Sequence, residues 1–550
     1  MQGADILAAA ASVLDPLTLA LLAIGVAAGL IAGAIPGFTI AMAVVLTLPF
    51  TFGMAPIQGL ATMIGVFVGG LSGGLMAAIL TGIPGTPSAV ATTFDGFPMA
   101  RGGRPGLALG IGVWASFAGG LISAVILVTL APVLARIGLE FGPWDYFALI
   151  AFALTITASL AGEDILKGLI AGALGLLAAT VGEDNINGVA RFTFGIDALH
   201  QGFAYLPVLI GLFAFSQLMS DVADPVRARS PLLDVPRAAV RIRHRQAIRT
   251  VAGEWATLVR SSLIGVFTGI LPAAGSSISN ILAYDQARKA SAHPEQFGTG
   301  IPAGIVASES ANNATAGGAL ITMMALGIPG DIVTAVMLGA LLIHDVVPSP
   351  SFIADAPVLA YGIFIAFFLA HFVMIALQAV CLRGFLLVTR VPMYVLAAVI
   401  LAYCAVGVFA LNNVDFDLWT LLLFGLAGTG LRALGLPLAP MILGVVLGTT
   451  AEVNLSRALT ISDGAAQAAA DFVTRPWSLL FLILAAFSAA FPWYQAARAH
   501  ARPWTRLYLP AMAVAVSGPL FLMDGWFRPL VGAGLLVAGP WLVWRRLVRA

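Results

Sequence analysis

The chain has 550 residues, 60% of them hydrophobic and 10% charged, with a formal net charge of +1 and a mean hydropathy of +0.99. Soluble domains carry about 25% charged residues, so this balance excludes a water-soluble enzyme, and the near-zero charge leaves no basic field for nucleic acid or acidic substrates. Cys381 and Cys404, the two cysteines, both lie in apolar runs and support neither a disulfide framework nor a cysteine metal site.

From the N-terminus, residues 1–15 contain no Lys or Arg, so they lack the positive region of a secretory signal. Spanning about 30 Å of hydrocarbon takes roughly 20 apolar residues. Apolar runs of about that kind occur near 17–35, 57–81, 106–131, 145–161, 165–182 and 202–220. A polar interval, 221–256, follows with Arg227, Arg229, Arg237, Arg241, Arg243, Arg245 and Arg249. Apolar runs resume near 257–271, 314–343, 357–381, 393–411, 418–431, 436–450, 476–497, 507–523 and 529–544. These runs predict an all-α polytopic membrane protein of about 13 crossings plus hairpins. Trp144, Tyr146, Trp477 and Trp493, near segment ends, are expected to anchor at the membrane interface.

The runs repeat. Gly33-Ala34-Ile35-Pro36-Gly37 is followed by Gly82-Ile83-Pro84-Gly85, and Gly269-Ile270-Leu271-Pro272-Ala273 by Gly327-Ile328-Pro329-Gly330, each pair with further apolar runs after it. The chain therefore divides into a first transmembrane repeat at 1–220, a basic cytoplasmic linker at 221–256, a second repeat at 257–475 and a C-terminal helical extension at 476–550. Short-loop Lys and Arg mark the cytoplasmic side. The loop with Arg101 and Arg104 has a counterpart carrying Asp345 and Asp355. The uncharged loop 48–58 has one carrying Arg288 and Lys289, and the acidic loop 183–200 one carrying Arg432. Corresponding loops thus face opposite sides, which predicts inverted-topology repeats with broken or re-entrant helices.

Inverted repeats with helices broken at mid-membrane are a common plan of secondary transporters. A Pro-Gly break frees backbone N–H groups at a half-helix N-terminus, which suits an anion without a buried lysine. The candidate substrate-binding residues are Pro36, Gly37 and Thr39; Pro84, Gly85, Thr86 and Ser88; Ala274, Gly275, Ser276 and Ser277; and Pro329 with Gly330. The stretch Ser308-Glu309-Ser310-Ala311-Asn312-Asn313-Ala314-Thr315 adds Asn312 and Asn313 as direct ligands. An intramembrane acid is a functional candidate by default, so Glu309, with Ser310 and Asp331, forms the coupling-ion set for Na⁺ or H⁺. Asp331 also reads as a helix cap. Asp95 and Asp285 are expected to be solvated. None of the six histidines has metal spacing, and His371 reads as a hydrogen-bonded packing residue. No metal and no cofactor is expected. Two other readings stay open: a passive anion channel, and an intramembrane serine hydrolase built on Gly70-Leu71-Ser72-Gly73 with His371 as base.

At these motifs the sequence resembles the large permease subunit of the tripartite tricarboxylate transporters, the TctA family. The stretches that carry the resemblance are Gly33–Gly53, Thr81–Pro87 running to Asp95-Gly96-Phe97-Pro98-Met99-Ala100, Phe192-Thr193-Phe194-Gly195, and Ser308–Asn313 through Gly330. The resemblance covers roughly residues 17–500. It implies a non-enzymatic symporter of the bacterial inner membrane for carboxylates such as citrate. It also implies a periplasmic solute-binding protein (TctC-like) and a small membrane subunit (TctB-like) as partners. Residues 504–550, with two further apolar runs, depart from the large subunit and resemble a remnant of a fused small subunit or an unrelated anchor.

Overall fold

The computed structural model describes residues 2–35, 38–161, 164–184, 186–223, 242–272, 275–344, 346–388, 393–500, 502–525 and 527–548. Among these, the only strands are the paired Gly182–Glu183 and Ala190–Arg191. The helices follow in order: α1 (Gln2–Leu14), α2 (Pro16–Ala34), α3 (Ile40–Thr51), α4 (Pro56–Thr81), α5 (Val90–Arg101), α6 (Pro105–Gly138), α7 (Pro143–Leu160) and α8 (Ile165–Ala179). Next come α9 (Tyr205–Ala223), α10 (His244–Gly253), α11 (Trp255–Ile270), α12 (Gly275–Ala290), α13 (Pro302–Leu326), α14 (Ile332–Ile343) and α15 (Pro357–Val388). The chain ends with α16 (Met393–Asn412), α17 (Asp415–Ala433), α18 (Leu438–Ile461), α19 (Ala465–Thr474), α20 (Pro476–Ala499), α21 (Tyr508–Phe521) and α22 (Phe527–Val548). The all-α polytopic class expected from composition is the one observed.

Eight described helices are long and apolar enough to cross a membrane, fewer than the crossings expected. The Pro-Gly breaks account for part of the difference, because they cut α3, α11 and α14 to 12, 16 and 12 residues. The 25-residue α13 is not among the eight because its polar stretch lowers its hydropathy. Of the linker arginines, Arg227, Arg229, Arg237 and Arg241 lie outside the described residues, as do Asp345, Pro36, Gly37 and Ala274.

Two compact units share the chain: Met1–Leu139 with Ala204–Gly430, and Glu140–Phe203 with Leu431–Ala550. Each predicted repeat contributes helices to both. In the first unit, α2 and α4 approach through glycines on both faces of the contact. A Cβ at Gly25 or Gly29 would overlap the carbonyl oxygen of Thr62 or Val66, and one at Gly65 or Gly69 that of Leu22 or Val26. The second copy repeats the device between α11 and α13, with Gly265 on Ala311, Gly269 on Thr315 and Gly318 on Val266. Without a hydrophobic drive between helices in lipid, close packing of small residues is what holds such pairs.

The helix ends repeat as well. Gly82 (φ 75°) and Gly327 (φ 69°) terminate α4 and α13 in the left-handed conformation, where a side chain would be strained. Beyond them, Gly85 folds back onto the carbonyl of Gly33 and onto Gly74, while Gly330 folds onto the carbonyl of Gly269 and onto Ala319. Direction distinguishes the copies. Gly112 of α6 faces Leu75 and Ile79 of α4, and farther along α6, Ser116 meets Glu309, Gly119 meets Ser310 and Ser123 meets Gly317. Since Ser72 meets Asn313, α6 runs with α13 and against α4, so the equivalent helices α4 and α13 cross antiparallel.

In the second unit, α8 packs on α18 with Gly175 against Met441 and Gly444, and α20 packs on α7. Trp144, expected at the membrane interface, is instead buried: its indole N–H donates to Ser462 (3.0 Å) and Arg475 stacks on its ring. A side chain that can satisfy its one donor internally gains from burial of the rest.

The glycine contacts generate a direct test. Gly29→Ala and Gly69→Ala are each expected to lower stability by about 2–3 kcal/mol, read as a lower thermal unfolding midpoint in detergent. Gly53→Ala, where the added methyl meets nothing within 4 Å, should leave the midpoint unchanged.

Candidate functional site

The unusual polar stretch lies inside α13, not in a loop. Ser308, Glu309, Ser310, Asn312 and Asn313 have no exposed surface. Small residues on the same helix (Ala311, Ala314, Gly317, Gly318) let neighbouring helices come close enough to satisfy these groups. Glu309 Oε1 accepts from the Thr92 hydroxyl of α5 (2.5 Å), and Oε2 accepts from the Ser116 hydroxyl of α6 (2.8 Å). Thr92 also lies 3.1 Å from Ser308 Oγ. Among the described residues no Lys, Arg or His ion-pairs with Glu309. Desolvating an unpaired carboxylate is expensive, so these two hydroxyls carry the acid.

The two amides grip α4 at its midpoint. Asn312 Nδ2 donates to Leu71 O (3.0 Å), and Asn313 Oδ1 accepts from Ser72 Oγ (2.9 Å). From α15, Gln378 Nε2 donates to Ser72 O (3.1 Å). The side-chain carbonyl oxygens of Asn280, Asn312 and Gln378 are buried with no hydrogen-bond partner among the described residues. Ser310 turns its hydroxyl back onto its own helix, donating to Val306 O (2.7 Å).

The breaks adjoin this cluster. Thr39 caps α3, its Oγ1 accepting from Met42 N–H (3.1 Å). Thr86 and Ser88, both buried, place their hydroxyls 2.8 Å apart, and Asn280 of α12 donates to Ser88 O. Gly275 opens α12 at φ 54°, where a Cβ would stand 3.7 Å from Asp331 Cβ. Asp331 caps α14, its Oδ1 accepting from Thr334 N–H (2.8 Å) and from the Thr334 hydroxyl (2.7 Å). Pro329 and Gly330 are buried, Pro84 and Ser276 half-buried, and Ser277 exposed. The second break thus packs on the end of α2, the fourth on the end of α11, and Asn280 of α12 ties to the second.

Asp95 is a correction. Expected to be solvated, it has no exposed surface. Its Oδ2 accepts from Tyr284 Oη (2.8 Å), and its Oδ1 from the N–H groups of Gly298 (3.0 Å), Gly300 (2.8 Å) and Ile301 (3.0 Å). Gly298 (φ 91°) and Gly300 (φ 101°) turn that loop so its amides converge on one oxygen, which replaces the lost water. Asp285, by contrast, pairs with Lys289 at the surface. Thr92, Ser116, Gln378 and Tyr284 carried no local signal: Ser116 and Gln378 are single polar residues in apolar runs, and Thr92 and Tyr284 lie between runs.

The hydrolase geometry is not seen. Ser72 donates to Asn313, while His371 Nδ1 lies 2.8 Å from Phe367 O, a packing contact.

If the two hydroxyls hold Glu309, the Thr92→Val, Ser116→Ala double variant should lose about 2–4 kcal/mol, from two donors at roughly 1–3 kcal/mol each with partial relaxation. Adding Glu309→Gln should restore part of the unfolding midpoint. Equal midpoints in all three proteins would remove the hydroxyls from this role.

Residues 19–443 match the Tripartite tricarboxylate transporter TctA family. A protein of Agrobacterium vitis, "Uncharacterized 52.8 kDa protein in TAR-I ttuC' 3'region", is 32% identical over 463 residues, covering 84% of this chain and 90% of that protein. A second from the same organism, "Uncharacterized protein in TAR-II ttuC' 3'region", is 32% identical over 212 residues, 38% of this chain and 86% of its own length. No solved structure matches. The matched span holds all four breaks, the buried acid and both amides, and the chain belongs to the tripartite tricarboxylate transporter TctA family, as a multi-pass large membrane subunit.

Proposed function

We propose that this chain carries a small organic di- or tricarboxylate across the bacterial inner membrane by cation-coupled symport, receiving its solute from a periplasmic binding protein. The observation that carries this reading is the junction of four interrupted segments with a buried amide-and-hydroxyl cluster in which no described Lys, Arg or His pairs with Glu309. Half-helix N-termini offer N–H donors and a partial positive potential to an anion. A site built this way binds a carboxylate yet can release it, whereas a buried lysine would hold it by a full charge.

Within the site, the segment around Thr39, Thr86, Ser88, Gly275 and Ser276 supplies donors, with Asn312 and Asn313 as direct ligands. The amides would exchange their bonds to α4 for bonds to solute. Glu309 is the coupling-ion residue, since a buried carboxyl with no ion pair among the described residues can take up H⁺ or Na⁺ without breaking one. Asp331 serves its helix first, and its capping bonds argue for a structural part beside the site. The small membrane subunit remains a partner in this reading. The helices α21 and α22, which pack on each other, extend the large subunit on its C-terminal side.

Uptake of labelled carboxylates into proteoliposomes, with the cognate binding protein and separately imposed Na⁺ and H⁺ gradients, tests the proposal. Accumulation above equilibrium is expected; uptake that stops at equilibrium would favour a passive anion channel. The Asn312→Ala, Asn313→Ala double variant should lose uptake at least about tenfold, the cost of about 1.4 kcal/mol or more in lost charge-assisted bonds, with membrane insertion intact. Glu309→Gln should keep solute exchange while losing gradient-driven accumulation. Near-normal transport by the double variant would remove the amides from the site.

A further inference from the structure

Gly59 near the start of α4 and Gly304 near the start of α13 are separated by 245 residues, the same interval as Gly82 and Gly327 or Gly85 and Gly330. They are therefore equivalent positions in the two copies. Each is covered by a polar side chain that follows a break in the other copy. Over Gly304 lies the Asp95 carboxylate, with Tyr284 beside it; over Gly59 lies the His344 imidazole, with Thr51 beside it. Tyr284 belongs to α12 and Thr51 to α3, which are themselves counterparts. A methyl on either glycine would collide with the overlying side chain. Because α4 and α13 cross antiparallel, the two contacts stand at opposite ends of the crossing, with the Glu309 and Asn313 cluster between them.

We infer that these are two equivalent cross-repeat latches, one closing each face of the membrane, which open one at a time. This rests on the transporter reading and adds the residues that govern access. The Asp95 latch is closed here: four hydrogen bonds tie α5 of one copy to α12 and to the 298–301 loop of the other. Opening that end requires those amides and the Tyr284 hydroxyl to find water at the same time, so the bonds break as a group. The His344 contact on Gly59 occupies the corresponding place at the other end. An exchange in which one latch opens as the other closes moves the symmetric copies through states related by a pseudo-two-fold axis, as an inverted repeat permits.

The experiment uses the full chain with Cys381→Ser and Cys404→Ser and a single reporter, Ser88→Cys. Labelling with a membrane-impermeant maleimide is timed in right-side-out and inverted vesicles, with no solute present. Tyr284→Phe, which removes one hydroxyl, and Asp95→Asn should each speed labelling from one face about fivefold, the population shift for one lost hydrogen bond. His344→Ala should speed labelling from the opposite face. If both sets of variants act on the same face, or Tyr284→Phe and His344→Ala both label as the parent does, the latches are refuted. Should Asp95→Asn fail to fold, judged by its size-exclusion profile, Tyr284→Phe decides that end alone. Labelling needs no transport, so failure to accumulate carboxylates would overturn the function proposed above and leave this result standing.

Discussion

Glu309 has no exposed surface, no cationic partner among the described residues, and two carboxyl oxygens held by hydroxyls from other helices. In a medium without water such a group fixes the positions of everything that touches it. Thr92 and Ser116 come from the first copy, Glu309 from the second, so satisfying the acid requires the copies to interdigitate. The same holds for Asn313 with Ser72 and for Asn312 with Leu71. Polar satisfaction, more than apolar burial, sets the register between α4, α6 and α13, because an apolar face in lipid gains little from one alignment over another.

The glycines make that register reachable. Hydroxyls and short amides extend only a few ångströms from the backbone, so their helices must come nearer than large side chains permit. The paired glycine rows of α2 with α4 and of α11 with α13 bring the axes together, and the polar groups then lock the depth at which they meet. A larger residue in either row would separate the donors from their acceptors even if the helix itself stayed intact. Each copy thus couples a tight pair to a break, with Gly85 folded on Gly33 and Gly330 on Gly269.

Much of this architecture is written locally. Four Gly-Pro interruptions can be seen in the chain because proline and glycine act on their own backbone, and the structure places Gly82 and Gly327 at the helix ends that those motifs suggest. The polar run 308–315 is likewise conspicuous against an apolar background. What could not be read was partnership. Thr92 and Ser116 look like ordinary hydroxyls until α5 and α6 are folded against α13. Asp95 sits six residues before Arg101 and has the look of a loop acid, yet a glycine-turned segment some 200 residues away (Gly298 and Gly300) encloses it. Trp144 misled in the same direction, because its hydrogen-bond partner, Ser462, lies 318 residues away in sequence. Eight described helices are long and apolar enough to cross, against about 13 crossings expected, since a break shortens a helix without lowering the hydropathy around it.

The composition of α13 bears on how the molecule is made. An ionisable residue at the centre of a helix costs a few kcal/mol during insertion on translocon-based scales, and two adjacent amides add to that. α13 emerges after α4, α5 and α6, which contain every side chain that satisfies Glu309 and the carbonyls that receive Asn312. Biosynthesis therefore has a built-in order. The earlier half must already be in the bilayer, presenting its hydroxyls, before the later half can leave the insertion machinery, and a nascent chain lacking that template would leave the Glu309 helix outside the hydrocarbon.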